Sequence, residues 1–325
     1  MAERAYAEVA KYLHRLLGEY SWQPAFHQAL VRLLSRPGRV LAAHGPAKWP
    51  PLVLLTCRAL AGDGSAAVAA AAMVELAIAA SNVVDDVIDD EWNEQDLPAG
   101  RALNGALALL GLAQRPVGEL AQSLGPERAV QIGDLLAHGI AAACAGQDLD
   151  LQLEATPNVS EEAAHEMTRR KSGTLVATAC QVGAAVATED REVVRLAGTL
   201  GGHIGVVAQL LNDIRGVVVG TDLRRRKKSL PVAYAVRCAR EEHISRLLDW
   251  YEGRGSADAG DEREIATLIR ELGAVDYAWV VAEAHRQEAL AAIRALVETT
   301  GRQEAVTLRR LVPSPRALWA DREPK

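Results

Sequence analysis

Asn82-Val83-Val84-Asp85-Asp86-Val87-Ile88-Asp89-Asp90 is the stretch on which the reading of the whole chain turns. The run before it, Ser65 to Ser81, is rich in Ala and carries Met73, Val74, Leu76 and Ile78, a composition that favours helix. If that helix continues through the acidic stretch, Asn82, Asp85, Asp86 and Asp89 share one face, at i, i+3, i+4 and i+7. Like charges stacked this way repel one another, so an ordinary core-facing helix has no use for them. Divalent cations bridging a polyphosphate would neutralise the face, because magnesium takes hard carboxylate oxygens and shares them with phosphate oxygens. A solvated helix end is the other reading of the same residues.

The bulk numbers narrow the class. A length of 325 residues suits two average domains or one large helical one. Apolar residues make up 49% but aromatics only 4%, with a single Phe, so the core must be aliphatic. A net charge of −6 gives no general attraction to nucleic acid or to an anionic membrane. Cys57, Cys144, Cys180 and Cys238 form no CxxC and sit in apolar surroundings, as expected of buried free thiols in a reducing cytosol. Met1 to Leu17 mixes Glu3, Arg4, Glu8, Lys11 and Arg15 with apolar residues, an amphipathic helix without the apolar core of a signal peptide. Ser172–Thr188 and Leu196–Asn212 lack formal charge, but both are short for a span and interrupted by polar residues. They are expected to be buried central helices, leaving no membrane span.

No period-2 alternation is sustained anywhere, and apolar residues recur at helical spacing almost throughout. The expectation is all-α: about a dozen helices and no sheet, in one domain over residues 1–325 around a central apolar cavity. Ser35-Arg36-Pro37-Gly38, Gly45-Pro46, Thr156-Pro157-Asn158 and Gly220-Thr221-Asp222 punctuate it, and Ser160-Glu161-Glu162 is a helix start. Only Ser256–Glu262 and the tail from Val312 read as mobile. Before Asp85, the small side chains of Ser81, Ala77 and Val74 lie along one side of the helix over about 16 Å. They would either line an apolar shaft or let another helix approach closely.

Three further polar groups follow. Gly146-Gln147-Asp148 ends a long Ala-rich helix, and Arg169-Arg170-Lys171-Ser172-Gly173 precedes an uncharged one. Gln209, Asn212, Asp213 and Gly216 then repeat the i, i+3, i+4, i+7 spacing. Asp222-Leu223-Arg224-Arg225-Arg226-Lys227-Lys228-Ser229 comes next, and in an acidic chain these cations suit a diphosphate, met by lysine as a point charge and by arginine as a fork. His203 reads as a polar group in a helix contact.

Taken in order, these elements resemble the trans-isoprenyl diphosphate synthase (polyprenyl synthetase) family from about Pro46 to about Leu311. Asp85-Asp86-Val87-Ile88-Asp89 resembles its first aspartate-rich motif, and Gln147 its glycine-glutamine element. Lys171-Ser172-Gly173 resembles its lysine-threonine-glycine element, and Gln209 to Asp213 with Lys227-Lys228 its second aspartate-rich region and following lysine loop. The resemblance implies a helical isoprenoid-synthase bundle, a homodimer, binding an allylic prenyl diphosphate through Mg2+. It implies metal ligands in Asp85, Asp86 and Asp89 on one helix, and in Asp213 with Asn212 on another. Lys171, Gln209, Lys227 and Lys228 would hold the diphosphate, with Lys171 counted among the catalytic groups. The prenyl tail would lie along Val74, Ala77, Ala80 and Ser81.

The departures bear on the acceptor. Pro46-Ala47-Lys48-Trp49-Pro50 keeps one cation where elongating members carry several, and Glu91-Trp92-Asn93-Glu94-Gln95-Asp96 is acidic where they carry arginines. The pattern is similar to the ComQ-type branch, which prenylates a peptide tryptophan, so a peptide or small-molecule acceptor is one reading. Asn212-Asp213-Ile214-Arg215-Gly216 partly resembles the metal motif of class I terpene cyclases, where no second substrate is needed. A non-catalytic subunit of a heteromeric synthase is the third.

Overall fold

The computed structural model describes residues 2–20, 22–44, 48–61, 67–95, 97–156, 158–220, 223, 225–254 and 259–314. Among these residues there is no strand, as the helical periodicity predicts. The helices are α1 (Ala2–Gly18), α2 (Pro24–Leu34), α3 (Pro50–Ala61), α4 (Val68–Ile88), α5 (Ala99–Leu112), α6 (Pro116–Leu124) and α7 (Pro126–Ala155). They continue with α8 (Glu161–Thr168), a π-helical turn (Arg169–Gly173), α9 (Thr174–Ala187) and α10 (Arg191–Val219). The last are α11 (Leu230–Glu241), α12 (Ser245–Tyr251), α13 (Ala259–Glu271), α14 (Ala274–Thr300) and a 3₁₀ segment (Gln303–Arg310).

Two compact units are built from interleaved segments. One comprises Met1–Ala141, Leu175–Gly201 and Ala292–Leu311; the other comprises Ala142–Thr174, Gly202–Ala291 and Val312–Lys325. Within the first, α4 is the central rod, and α1, α2, α3, α5 and α6 all pack on it. Every residue from Ala70 to Ala80 is buried, so this helix is apolar on all sides, as a core helix must be. The second unit has an aliphatic core with Trp250 at its largest point, joined by Val217, Leu247, Ile265 and Ile269. Leu153, Met167, Val206 and Leu210 form a smaller cluster in the same unit.

Local signals in the sequence find their partners. Ser160 begins α8 as expected, its Oγ accepting from Ala163 N–H at 3.2 Å. α4, by contrast, stops inside the acidic stretch. Glu91 N–H donates to Asp86 C=O at 2.8 Å, and Asp90 takes φ +51°, so a left-handed turn closes the helix after Ile88. Asp85 and Asp86 are therefore in the last helical turn and Asp89 caps it.

The thiols correct one expectation. Cys57 and Cys180 are buried, with burial pushing the Cys180 thiol up to about 12, but Cys144 is exposed. It lies on α7, whose most apolar window is only 33% buried. α4, α7 and α10 are each long and apolar enough to cross a membrane by length and composition alone; the corresponding windows of α4 and α10 are 67% buried within the protein. Most of the stretch expected to be mobile between Ser256 and Glu262 is described as the start of α13, whereas 256–258 and 315–325 lie outside the described residues.

Candidate active-site groups

In the first unit the carboxylates gather at the C-terminal end of α4. Asp85 and Asp86 are half-buried and Asp89 is 6% exposed. A helix C-terminus is already the negative end of the macrodipole, so anions there raise rather than lower the local energy. The protein answers with two arginines from the turn after α2. Arg36 pairs with Asp86 while its guanidinium lies over the Trp92 ring, 4.6 Å from the centroid. With the Asn82 amide turned so that both of its atoms find partners, Arg39 Nη2 donates to Asn82 Oδ1 at 2.6 Å and Asn82 Nδ2 donates to Ile78 C=O. Arg39 also sits 3.9 Å from Glu75, a carboxylate with no exposed surface in the middle of α4.

The expected tail-binding residues lie lower on the same helix. Val74, Ala77 and Ala80 are buried; Ser81 is half-buried and turns its hydroxyl back to Ala77 C=O at 3.1 Å. Ser81 thus presents less polarity than its side chain suggests, because its one donor is satisfied within the helix.

In the second unit a connected polar group forms around the π-helical turn. Lys171 Nζ donates to Asp150 Oδ2 at 2.6 Å. Its neighbour Ser172 donates to Gln209 Oε1 at 2.6 Å, and Gln209 Nε2 donates to Asp213 Oδ1 at 2.8 Å. Asp213 is 5% exposed. The approach of α7 to this turn explains Gly146: a Cβ there would lie 2.4 Å from the Lys171 nitrogen and 2.6 Å from the Arg170 carbonyl carbon. Gly205 does the same for α10, where a Cβ would stand 2.6 Å from Ser172 O. A π turn at such a place is a frequent mark of a functional site. Arg169 forks onto Glu166 and Arg170 adds a single bond through its Nε, and these hydrogen bonds hold the Glu166 carboxyl well down, at about 2.

Other predicted residues are placed elsewhere. Asn212 is exposed and its Oδ1 accepts from Arg215 at 3.1 Å. Lys228 is buried and donates to the carbonyls of Glu154 and Thr156, closing the end of α7, while burial lowers its pKa. That is a capping role, favoured at a helix C-terminus. Lys227 is half-buried, and Asp222 lies outside the described residues. A pocket of about 390 Å³ opens at the start of α8, lined by Ser160, Glu161, Ala233 and Arg237 among others, and none of the predicted site residues lines it.

Sequence reasoning missed Arg36, Arg39 and Glu75. The available signal was Glu75 itself, a single carboxylate between Val74 and Leu76 in an otherwise apolar run. The donor set fits a hard divalent cation. Among the described residues no three His, Cys, Asp or Glu side chains converge on one point. Magnesium, however, is ordinarily held by one or two carboxylates with water and substrate phosphates, not by an all-protein cage.

Comparison with known proteins agrees with this arrangement of elements. A short chain isoprenyl diphosphate synthase of Methanothermobacter thermautotrophicus is 28% identical over 290 residues, 83% of this chain and 86% of the relative. A (2E,6E)-farnesyl diphosphate synthase of Mycobacterium tuberculosis is 31% identical over 263 residues, 74% and 71% of the two chains. The crystal structure of a polyprenyl synthetase from Streptomyces coelicolor A3(2) superposes with a TM-score of 0.80 at 23% identity, over 96% of this chain and 98% of that one, and shows the shared fold. The model of the polyprenyl synthetase family matches residues 31–269, and the chain belongs to that family of prenyltransferases.

Proposed function

We propose that this chain is a magnesium-dependent prenyltransferase that ionises an allylic prenyl diphosphate and passes the prenyl group to isopentenyl diphosphate, lengthening the chain. The observation that carries the reading is the gathering of Asp85, Asp86 and Asp89 at the negative end of α4, where a hard cation would lower their mutual repulsion. The relatives compared above, themselves named as isoprenyl and farnesyl diphosphate synthases, support the elongation version. Magnesium held at these carboxylates would supply charge neutralisation and Lewis-acid polarisation of the leaving diphosphate, and Asp213 would be a metal ligand of the second unit. Lys171, already turned inward to Asp150, would move its ammonium to the departing oxygens. Gln209, fixed between Ser172 and Asp213, would orient the Asp213 carboxylate. The buried small residues Val74, Ala77 and Ala80 would keep water from the allylic cation.

A second reading has a specific observation behind it. The arginines nearest the acidic end are engaged, Arg36 by Asp86 and Arg39 by Glu75 and Asn82, so a second diphosphate would compete for them. An acceptor without phosphate, a peptide or a small molecule, avoids that competition.

The chain acts as one domain, a reading supported by segments of the two units alternating along the sequence. It works as a cytoplasmic homodimer without a membrane span. Leu103, Leu107 and Leu110 support the dimer, as an exposed apolar stripe at i, i+4 and i+7 on α5 with Leu107 70% exposed. Incubation with magnesium and geranyl, farnesyl or geranylgeranyl diphosphate, with and without isopentenyl diphosphate, tests the reaction. A longer diphosphate is the expected product. Pyrophosphate release only with another acceptor supports the second reading. A cyclic hydrocarbon formed without any acceptor refutes both. The double variant Asp85→Ala, Asp86→Ala should lose turnover while its helical circular dichroism is unchanged; retained turnover would remove these residues from the site.

A further inference from the structure

Three histidines far apart in sequence meet inside the second unit. His165 comes from α8, His203 from α10 and His285 from α14, each about half-buried. His165 Nε2 lies 2.8 Å from His285 Nε2, and His203 Nδ1 lies 2.8 Å from His285 Nδ1. The rings are 5.0 and 5.1 Å apart, centroid to centroid. His285 therefore uses both ring nitrogens, one toward each neighbour. The two outer rings address different nitrogens of the central one, each pointing its own way. This is a linear chain, not a chelate, in keeping with the absence of a metal-holding group among the described residues.

Proton counting gives the chain a definite capacity. A neutral imidazole carries one N–H and one acceptor nitrogen. Each short N···N contact holds one shared proton, and each outer ring has one further nitrogen facing away. Two shared and two outer protons make four, one more than three neutral rings carry. The chain thus accepts a single extra proton with both hydrogen bonds intact. A fifth proton has to place two N–H groups head to head, and one of the contacts must break.

The charged neighbours act on the chain in both senses, and burial outweighs them. Glu166, on the helix of His165, favours a proton on His165 although Arg169 and Arg170 engage it, while Arg169 repels one. Glu288, on the helix of His285, is the carboxylate that acts on His203. On α11, which packs against α8, Arg237 is held by Glu161 and Glu241. Burial is the largest influence on each ring and lowers all three, His285 from 6.5 to about 4, the other two histidines adding to its shift.

We propose that the His165–His285–His203 chain is a proton-limited clamp: it ties α8, α10 and α14 together up to one added proton, and a second opens it. What it clamps is specific, because α8 runs without a break into the turn that carries Lys171, six residues after His165. The clamp stands whether or not the reaction proposed above is right. The sign follows from linkage. The unfolded chain takes up these protons near pH 6.5 and the folded one only lower, so stability is lost as pH falls from about 6.5 toward 4.

The test uses the whole chain, with urea unfolding followed from pH 7.5 to 4.5 in the wild type and in His285→Gln. Glutamine can donate to one neighbour and accept from the other but does not titrate. Below pH 6 the wild-type folding constant should fall about tenfold more per pH unit than that of His285→Gln, one proton's worth. Hydrogen exchange of residues 161–175, corrected for intrinsic rates, should accelerate at the same pH in the wild type only. Imidazole ¹⁵N shifts of the wild type give a reading that needs no variant, and the central ring should remain neutral down to pH 5. An unchanged pH slope in His285→Gln, or a His285 that titrates near 6.5, overturns the clamp. So would zinc bound at one equivalent by the wild type and not by His285→Gln, since that requires a chelate.

Discussion

Replacing Glu75 by Gln should be among the most damaging single changes in this protein. Glu75 is fully buried, Arg39 is 6% exposed, and their charged atoms are 3.9 Å apart. At that distance, with an effective dielectric constant near 20, their attraction is about 4 kcal/mol. Val40 N–H supports one carboxylate oxygen at 3.0 Å, while Glu75 Oε2 and Arg39 Nη1 have no hydrogen-bond partner. Burial outweighs pairing for both groups, raising the Glu75 carboxyl and lowering the Arg39 guanidinium. Removing one charge leaves the other buried and uncompensated, at a cost of about 3–5 kcal/mol. Replacing both, Arg39→Met with Glu75→Leu, should be far milder and at best stabilising by about 1 kcal/mol, because the desolvation of both ions goes with them. Urea midpoints for the two single variants and the double complete a thermodynamic cycle. A Glu75→Gln cost below about 1 kcal/mol, or a double variant as unstable as the two singles summed, would refute this account.

Gly146→Ala should destabilise by about 1–3 kcal/mol or more and depress activity with it, since the new methyl meets the rigid backbone of Arg170 and Lys171; an unchanged melting temperature would contradict the close approach. Arg36→Gln should tighten divalent-metal binding about two- to fivefold by removing a half-exposed competitor for Asp86, and titration of Mn2+ by calorimetry measures it. In the same protein the metal-induced change in Trp92 fluorescence, obtained by difference against Trp92→Phe, should disappear because the guanidinium no longer leaves the indole. Leu107→Glu should shift sedimentation toward the monomer, and an unaltered profile would exclude that face from the interface.

The regular features were legible because periodicity exposes them. Spacing alone put Asp85, Asp86 and Asp89 on one face of a helix and Gln209 with Asp213 on one face of another, and the structure adds the bond between the latter two. What spacing could not give was anything decided by long-range contact. Arg36 and Arg39 sit in a turn that reads as punctuation, and only the folded chain brings them to α4. Lys228 stands in a basic run that suits an anion, yet the carbonyl groups left over at the end of α7 claim it. The stop of α4 at Ile88 depends on Asp90 adopting a left-handed conformation, which no apolar pattern announces. Nor does any local signal pair His285 with residues 82 and 120 positions away.

The bare backbone of Gly205 against Ser172 carries a mechanical consequence. Between the strip of main chain that bears Ser172 and the one that bears Gln209 there is no cushion of side chains to compress or rearrange. The spacing of those two groups is therefore set by direct main-chain contact, and a side-chain rearrangement elsewhere in the unit has no intervening layer there through which to alter it.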